Sequence, residues 1–261
     1  MKNLINWKLF FILLVVCVIT SVMVLPYSIA LTSAEISVSP LIIILSTVAN
    51  NLIIFAIAVF FGLLLSKQIG QPDGGFRLPI IQGILEGKNQ TKEFKSLLPL
   101  SIGLGIIAGV LIIALSIPFN NAIPEFKNME AQTADAWRGF LASFYGGIAE
   151  EVLLRLFVVS LIVWIGFKIK KNADGSPTVT GIWIAIILSA ILFGIGHLPA
   201  TALIVDLNGM VVLRAIVLNG IGGVIFGWLF WKRGLESAIV AHFSTDIVLH
   251  VITPLVLSIF K

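Results

Sequence analysis

The sequence predicts an all-α fold that crosses a membrane seven or eight times. Three observations predict it. Hydrophobic residues make up 58% of the 261 positions and charged residues only 11%, and mean hydropathy is +1.08; a water-soluble domain of this length needs a far more polar surface. Several apolar runs reach the roughly 20 residues that a helix needs to cross a bilayer. The polar links between the runs are short, and none is long enough to fold as a second domain.

The first span covers about Trp7 to Ile29, with Pro26 placed to kink its end. It starts with a basic residue pair, Lys2 and Lys8, but its apolar run exceeds that of a signal peptide, so it reads as a retained span. Its Cys17 is the only cysteine, which rules out an internal disulfide. The second span, about Val38 to Leu65, contains Asn50 and Asn51. Both amides are expected to face protein and bond across helices, because an unpaired polar group in hydrocarbon costs several kcal/mol. In the following link, QPDGG is a turn signal, and FRLPIIQGILEG reads as a short amphipathic element along the interface.

A third span runs from about Leu97 to Ile117, where Gly103, Gly105 and Gly109 permit close helix packing. The fourth, about Trp137 to Phe167, is long enough to tilt or to project beyond the bilayer. Span five covers about Gly181 to His197 and stops at Pro199; the stretch to Asn208 is either a loop or one more brief helix. Span six is about Gly209 to Trp231. The tail from Ala238 to Phe260 is one long span, or two half-spans broken near Pro254.

Charge sets the orientation. Lys2 and Lys8, the Lys67–Lys95 link, Lys168 to Lys171, and Lys232 with Arg233 fall on one side. Glu35, Glu125, Glu130 and Asp206 fall in the alternate links. The positive-inside rule therefore puts the N-terminus in the cytoplasm of a multi-pass cell-membrane protein; Lys261 alone does not place the C-terminus. The net charge of +4 is spread over these links and makes no coherent basic surface, which argues against a nucleic-acid partner.

Against this background three polar clusters stand out inside the spans: Glu150, Glu151 and Arg155; His197, preceded by FGIG; and HFSTD, His242 to Asp246. Arg214 and Asn219 are further polar positions, and His250, eight residues beyond His242, reads as structural or peripheral. Ionisable groups at such depth are costly and face a cavity or a partner. Glu151 and Arg155 are four apart and share a helix face, as do His242 with Asp246 and Phe193 with His197. Glu150 points about 100° away from Glu151 on an ideal helix and is free to face a different cavity.

One free carboxylate and two histidines suffice for amide hydrolysis. Glu150 would take a proton from water, His197 and His242 would orient that water or stabilise the oxyanion, and Asp246 would orient His242 or hydrogen-bond water or substrate. The same atoms also make a zinc set, although they would come from three helices rather than one compact motif. A proton relay in a transporter uses the same residue types. Depth is a further test. Counted from the basic ends, His242 lies about 9 residues in, Glu150 about 14 and His197 about 16. At about 1.5 Å per residue these are roughly 13, 21 and 24 Å, so a common site needs a tilt, a helix break or shifted boundaries.

Taken together the clusters resemble the motifs of the CPBP family, which comprises the type II CAAX-prenyl endopeptidases and the bacteriocin-processing group, also called Abi. EEVLLR, Glu150 to Arg155, is similar to its EExxxR motif; FGIGH, Phe193 to His197, to its FxxxH motif; and HFSTD, His242 to Asp246, to its third motif. The resemblance covers about 125 residues and implies a catalytic helical core over 136–261, with N-terminal membrane helices and links over 1–135. It implies an intramembrane endopeptidase in which Glu150 activates water and the motif histidines are His197 and His242. Glu151 and Arg155 help to form the site, and Phe193 orients it. Asp246 stands where the prenyl-processing branch has asparagine; aspartate donates a hydrogen bond only when protonated. The expected mechanism needs no metal, with zinc on Glu150, His197, His242 and Asp246 as the alternative. The expected partners are membrane lipid and a lipidated or hydrophobic peptide or protein, cleaved after a prenylated cysteine or in bacteriocin processing. A non-catalytic proton-coupled transporter or a bacteriocin immunity protein is the alternative to an enzyme.

Overall fold

The computed structural model describes residues 5–31, 38–70, 75–123, 125–126 and 135–259. Among them, seven helices are long and apolar enough to cross a membrane: α1 (Trp7–Leu31), α2 (Pro40–Ile69), α3 (Thr91–Ala122), α4 (Ala136–Ile169), α5 (Val179–Thr201), α6 (Gly209–Arg233) and α7 (Leu235–Ile259). This is a multi-pass all-α membrane protein. After His197 the chain makes only one further turn, Leu198–Thr201, and α7 continues through Pro254, so neither segment adds a span. Lys2, Glu35, Glu130 and Lys261 lie outside the described residues.

The helix starts follow from local chemistry. Asn6, Ser39, Thr178 and Asn208 precede α1, α2, α5 and α6, and each side-chain oxygen accepts from a first-turn backbone N–H. Pro26 divides α1 into Trp7–Met23 and Leu25–Leu31. It lacks an N–H, and just before it the hydroxyls of Thr20 and Ser21 both donate to the Cys17 carbonyl; both features bend a helix. The bend turns the end of α1 onto the start of α4.

The amides of α2 differ from expectation. Asn50 is exposed on the outside of the bundle, and Asn51 donates to Thr47 O of its own helix at 2.9 Å. An i−4 carbonyl satisfies an amide without a second helix, so no interhelical bond is needed.

Small residues set the helix spacing, as they must where lipid tails are as apolar as leucine. Along α3 and α7, Ser101 meets Ser237 at 2.7 Å and Thr245 donates to Gly105 O at 2.8 Å. A side chain at Gly105 would collide with the Ala241 carbonyl, and one at Gly109 with Val248. Gly103 faces open space and takes no part in this seam. The outer faces remain apolar, with Leu41, Ile53, Val110 and Ile187 among the exposed residues, as contact with lipid requires.

The short element expected after the second span is present. A short helix, Pro79–Leu85, does form, but it is clamped to the turn between α6 and α7. Phe76 and Leu78 are fully buried, and Phe76 N donates to Phe230 O at 3.0 Å. The Glu236 carboxylate accepts from both Ile80 N and Ile81 N at 3.0 Å, supplying acceptors for first-turn N–H groups. Phe76 has φ of 60°, a strained backbone for a bulky residue, and this docking holds it.

Two spans depart from α geometry near the polar clusters. Tyr145–Glu150 and Val152–Val159 of α4, and Ile247–Ile252 of α7, are wound as π-helix. In α7 the cause is visible: Pro254 cannot donate to His250 O and its ring crowds that carbonyl. Thr253 Oγ1 instead donates to Val248 O, five residues back, at 2.8 Å. π turns of this kind occur mostly as local insertions, often at functional sites.

Candidate active site

His242 is the hub. It projects from α7 between α4, α5 and α6, and its side chain is 5% exposed. Nδ1 lies 2.8 Å from Glu151 Oε1. Glu151 Oε1 also lies 3.1 Å from Arg155 NH1, and both of those side chains are fully buried. That contact lacks hydrogen-bond alignment, so it is an ion pair held by charge. An arginine-paired carboxylate accepts, hence Nδ1 of His242 donates and neutral His242 presents a bare Nε2.

The guanidinium of Arg155 is further held by Gly223 O at 3.3 Å, and by the rings of Phe193 and Phe226 at 5.1 and 5.4 Å. Such cation–π contacts offset part of the cost of burying the charge. Phe226 also stacks on the His242 imidazole, with centroids 4.5 Å apart and planes at 21°. Nothing in the span-six sequence marks Phe226 as a site residue, because its role depends on where α6 crosses α7.

The other edge of His242 is different. Nε2 faces Asp246 Oδ1 at 3.6 Å and Glu150 Oε2 at 3.8 Å. Both separations exceed a direct hydrogen bond and suit a bridging water. Glu150 is 21% exposed, so this edge can be reached. Gly146 of α4 makes room for it: a side chain there would collide with Asp246 Oδ2 and crowd His242 Nε2. Glu150 and Glu151 meet opposite edges of the same imidazole, Glu151 at Nδ1 and Glu150 near Nε2, in different surroundings.

His197 stands apart. It follows the stretch Val179–Gly196 of α5, is half-buried, and its Nδ1 donates to Phe193 O at 2.9 Å, since a carbonyl can only accept. The Phe193 ring contacts both histidines, with centroids 4.8 Å from His197 and 5.6 Å from His242 and near-perpendicular planes. The structure thus gathers Glu150, Glu151, Arg155, His242 and Asp246, with Phe193 in contact with both His197 and His242.

Zinc needs N and O donors about 2.0–2.2 Å from one point. Among the described residues no three His, Cys, Asp or Glu side chains are disposed around such a point. Nδ1 of His242 is engaged by Glu151 and Nδ1 of His197 by the Phe193 carbonyl, so Nε2 is the atom each histidine would offer a metal.

Of the other polar candidates, Arg214 contacts Asn120 Oδ1 at 3.3 Å and lies over Phe126 at 4.1 Å, and Asn219 donates to Ala215 O of its own helix. His250 is paired with Tyr27 of α1, Oη to Nδ1, at 3.0 Å. No sequence spacing connects residues 223 apart. Residues 132–248 match the family described as Type II CAAX prenyl endopeptidase Rce1-like. No curated protein and no solved structure matches the chain.

Proposed function

With residues 132–248 an Rce1-like CAAX-protease domain within a membrane-spanning helical fold, we propose that the protein is an intramembrane endopeptidase that works by a glutamate-activated water. The observation that carries this reading is the two-edged setting of His242. One nitrogen is anchored to a buried ion pair, while the other converges with Glu150 and Asp246 at 3.6–3.8 Å. A water between these groups loses its proton to Glu150 as its oxygen bonds to the peptide carbonyl carbon. The tetrahedral intermediate then collapses. The C–N bond breaks, Glu150 returns the proton to the departing amine, and the new terminus leaves as a carboxylic acid. His242 orients the water by accepting its second hydrogen at Nε2, and Asp246 flanks that nitrogen at 3.6 Å. Glu151 and Arg155 act through His242 and are positioning residues. No metal takes part in this reading.

The substrate class is a hydrophobic or lipidated peptide. An apolar groove of about 500 Å³ opens between α3, α4 and α7, lined by Ile102, Ile106, Phe144, Ile148, Phe243 and Ile247. Its volume is that of a small-molecule pocket, and its wholly apolar large side chains suit an acyl or prenyl tail. By the positive-inside rule we read the N-terminus as cytoplasmic, which protease accessibility of an N-terminal tag tests.

The decisive experiment reconstitutes the purified protein in liposomes with a lipidated peptide library and reads products by mass spectrometry. Wild type yields new termini and Glu150→Gln yields none. Equal rates from the two would remove Glu150 as base. Chelation leaves the rate unchanged; a loss that added zinc restores would replace the metal-free mechanism.

A further inference from the structure

A second apolar groove, of about 310 Å³, opens between α3, α5 and α6. Leu100 and Leu104 of α3, Trp183 of α5, and Val224, Ile225 and Trp228 of α6 line it. None of them belongs to the His242 site. Leu100 is exposed and both tryptophans are half-buried, so the groove opens to the outside of the bundle, where lipid lies.

At one end of the groove the chemistry changes. Ile225, Trp228 and Lys232 stand at i, i+3 and i+7 on α6, which is regular α-helix over Gly209–Arg233. They form one stripe, and Lys232 lies about 6 Å beyond Trp228 along the axis. Ring contacts give the same placement. Trp183 meets Trp231 edge-on, with centroids 6.0 Å apart and planes at 83°. The Lys232 ammonium lies 3.7 Å from the centroid of that Trp231 ring. A continuous path of contacts therefore runs from the groove wall to a cation.

This end has donors and lacks acceptors. Among the described residues neither Lys232 nor Arg233 meets a carboxylate, and the buried Trp231 indole N–H has no hydrogen-bond partner. The acid of the adjoining turn, Glu236, is 7% exposed and is engaged by Ile80 N and Ile81 N. A buried donor left unpaired is costly. A hydrocarbon tail alone would fill the groove and leave these groups unmet. A zwitterionic head would bring its own cation to the site, whereas an anionic head would not.

We infer that the groove holds an acyl chain of an anionic phospholipid whose phosphate meets the Lys232 ammonium. Arg233 adds to the positive field at the same end, and a lipid ester or phosphate is the acceptor that the Trp231 N–H lacks. Basic pockets between transmembrane helices recognise anionic head groups in this way, and tryptophan favours the level where tails give way to heads. The inference does not rest on the hydrolase reading, because the reaction uses none of these residues.

The test is native mass spectrometry of the full-length protein released from micelles that contain phosphatidylglycerol and phosphatidylcholine at equal concentration. Phosphatidylglycerol is expected to stay bound at one molecule per chain, in preference to phosphatidylcholine, and to raise the unfolding temperature. Inorganic phosphate at the same concentration leaves that temperature unchanged. Lys232→Gln is expected to weaken retention of phosphatidylglycerol roughly fivefold, the effect of one basic residue near an anionic surface, with phosphatidylcholine unaffected. Leu104→Phe puts a ring into the groove and is expected to weaken retention at least as much, which gives a second reading should the first variant fail to fold. Lys171→Gln removes a lysine from the same end of the bundle but off the stripe, and keeps the parental affinity. Equal retention of the two lipids, or parental affinity in both groove variants, overturns the site. A loss in Lys171→Gln as large as in Lys232→Gln shows a diffuse field instead of a site. Stabilisation by inorganic phosphate equal to that by the lipid shows that no acyl chain is bound. A dimer that Leu104→Phe abolishes shows that a second copy of the chain covers the groove.

Discussion

The two edges of the His242 ring look onto opposite surroundings. On the Nδ1 side, Glu151 and Arg155 are fully buried, closed in by Phe193, Phe226 and the backbone of α6. On the Nε2 side, Glu150 is 21% exposed and Asp246 is close by. Adjacent glutamates of one helix therefore have different environments. A carboxylate locked in an ion pair can orient an imidazole but has no proton traffic of its own. A carboxylate that water can reach, a few ångströms from a bare nitrogen, can act as a base. Burial, not residue type, separates the two roles.

Four substitutions test that contrast, from the largest expected effect to the smallest. Arg155→Met strips the sealed edge of its cation and leaves Glu151 as an uncompensated buried charge; a loss of about 3–5 kcal/mol of stability is expected, read as a lower unfolding temperature in detergent micelles. A melting curve matching the parent would show that the pair does not hold the helices together. Glu150→Gln acts on the open edge. Melting should stay at the parental value while kcat falls by about 10²–10⁴-fold, and an unfolded Glu150→Gln protein would erase the distinction between the edges.

Gly146→Ala places a methyl group against Asp246 and His242 Nε2. Either α4 or α7 must shift, so kcat is expected to drop about tenfold or more with a modest change in melting, since small displacements of reacting groups are costly. Unchanged turnover would mean that Asp246 and Nε2 need not stay where they are. Phe226→Leu removes the ring stacked on His242, with an expected cost of about 1 kcal/mol. The loss should appear in melting before it appears in kcat, and the reverse order would assign the ring to the reaction itself.

Much of the fold can be read along the chain, because lipid imposes a local rule: every backbone group must be paired within its own helix, so apolar runs become spans. The seven helices and their capping residues follow that rule. Asn50 and the Pro79–Leu85 element do not follow the simplest reading of it. The first depends on which face α2 turns to lipid, and the second on a carboxylate 156 residues away. The site divides in the same manner. The i, i+4 spacing of Glu151 and Arg155 is a helix property, and the ion pair obeys it. Which edge of His242 Glu150 meets is not a helix property, since it depends on how closely α7 packs on Gly146 and Gly147. Phe226 and Tyr27 have no signal in spacing at all.

By itself, then, the order of residues determined that the chain is helical, that it lies in a membrane, and which spans carry ionisable groups, since hydropathy and helical periodicity act over tens of residues. Tertiary structure alone decided which nitrogen of His242 each glutamate meets, that the Phe193 ring touches His242, and that the first span reaches His250. Those facts depend on how distant helices pack and bend, and packing is fixed by steric fit between surfaces that no local pattern encodes.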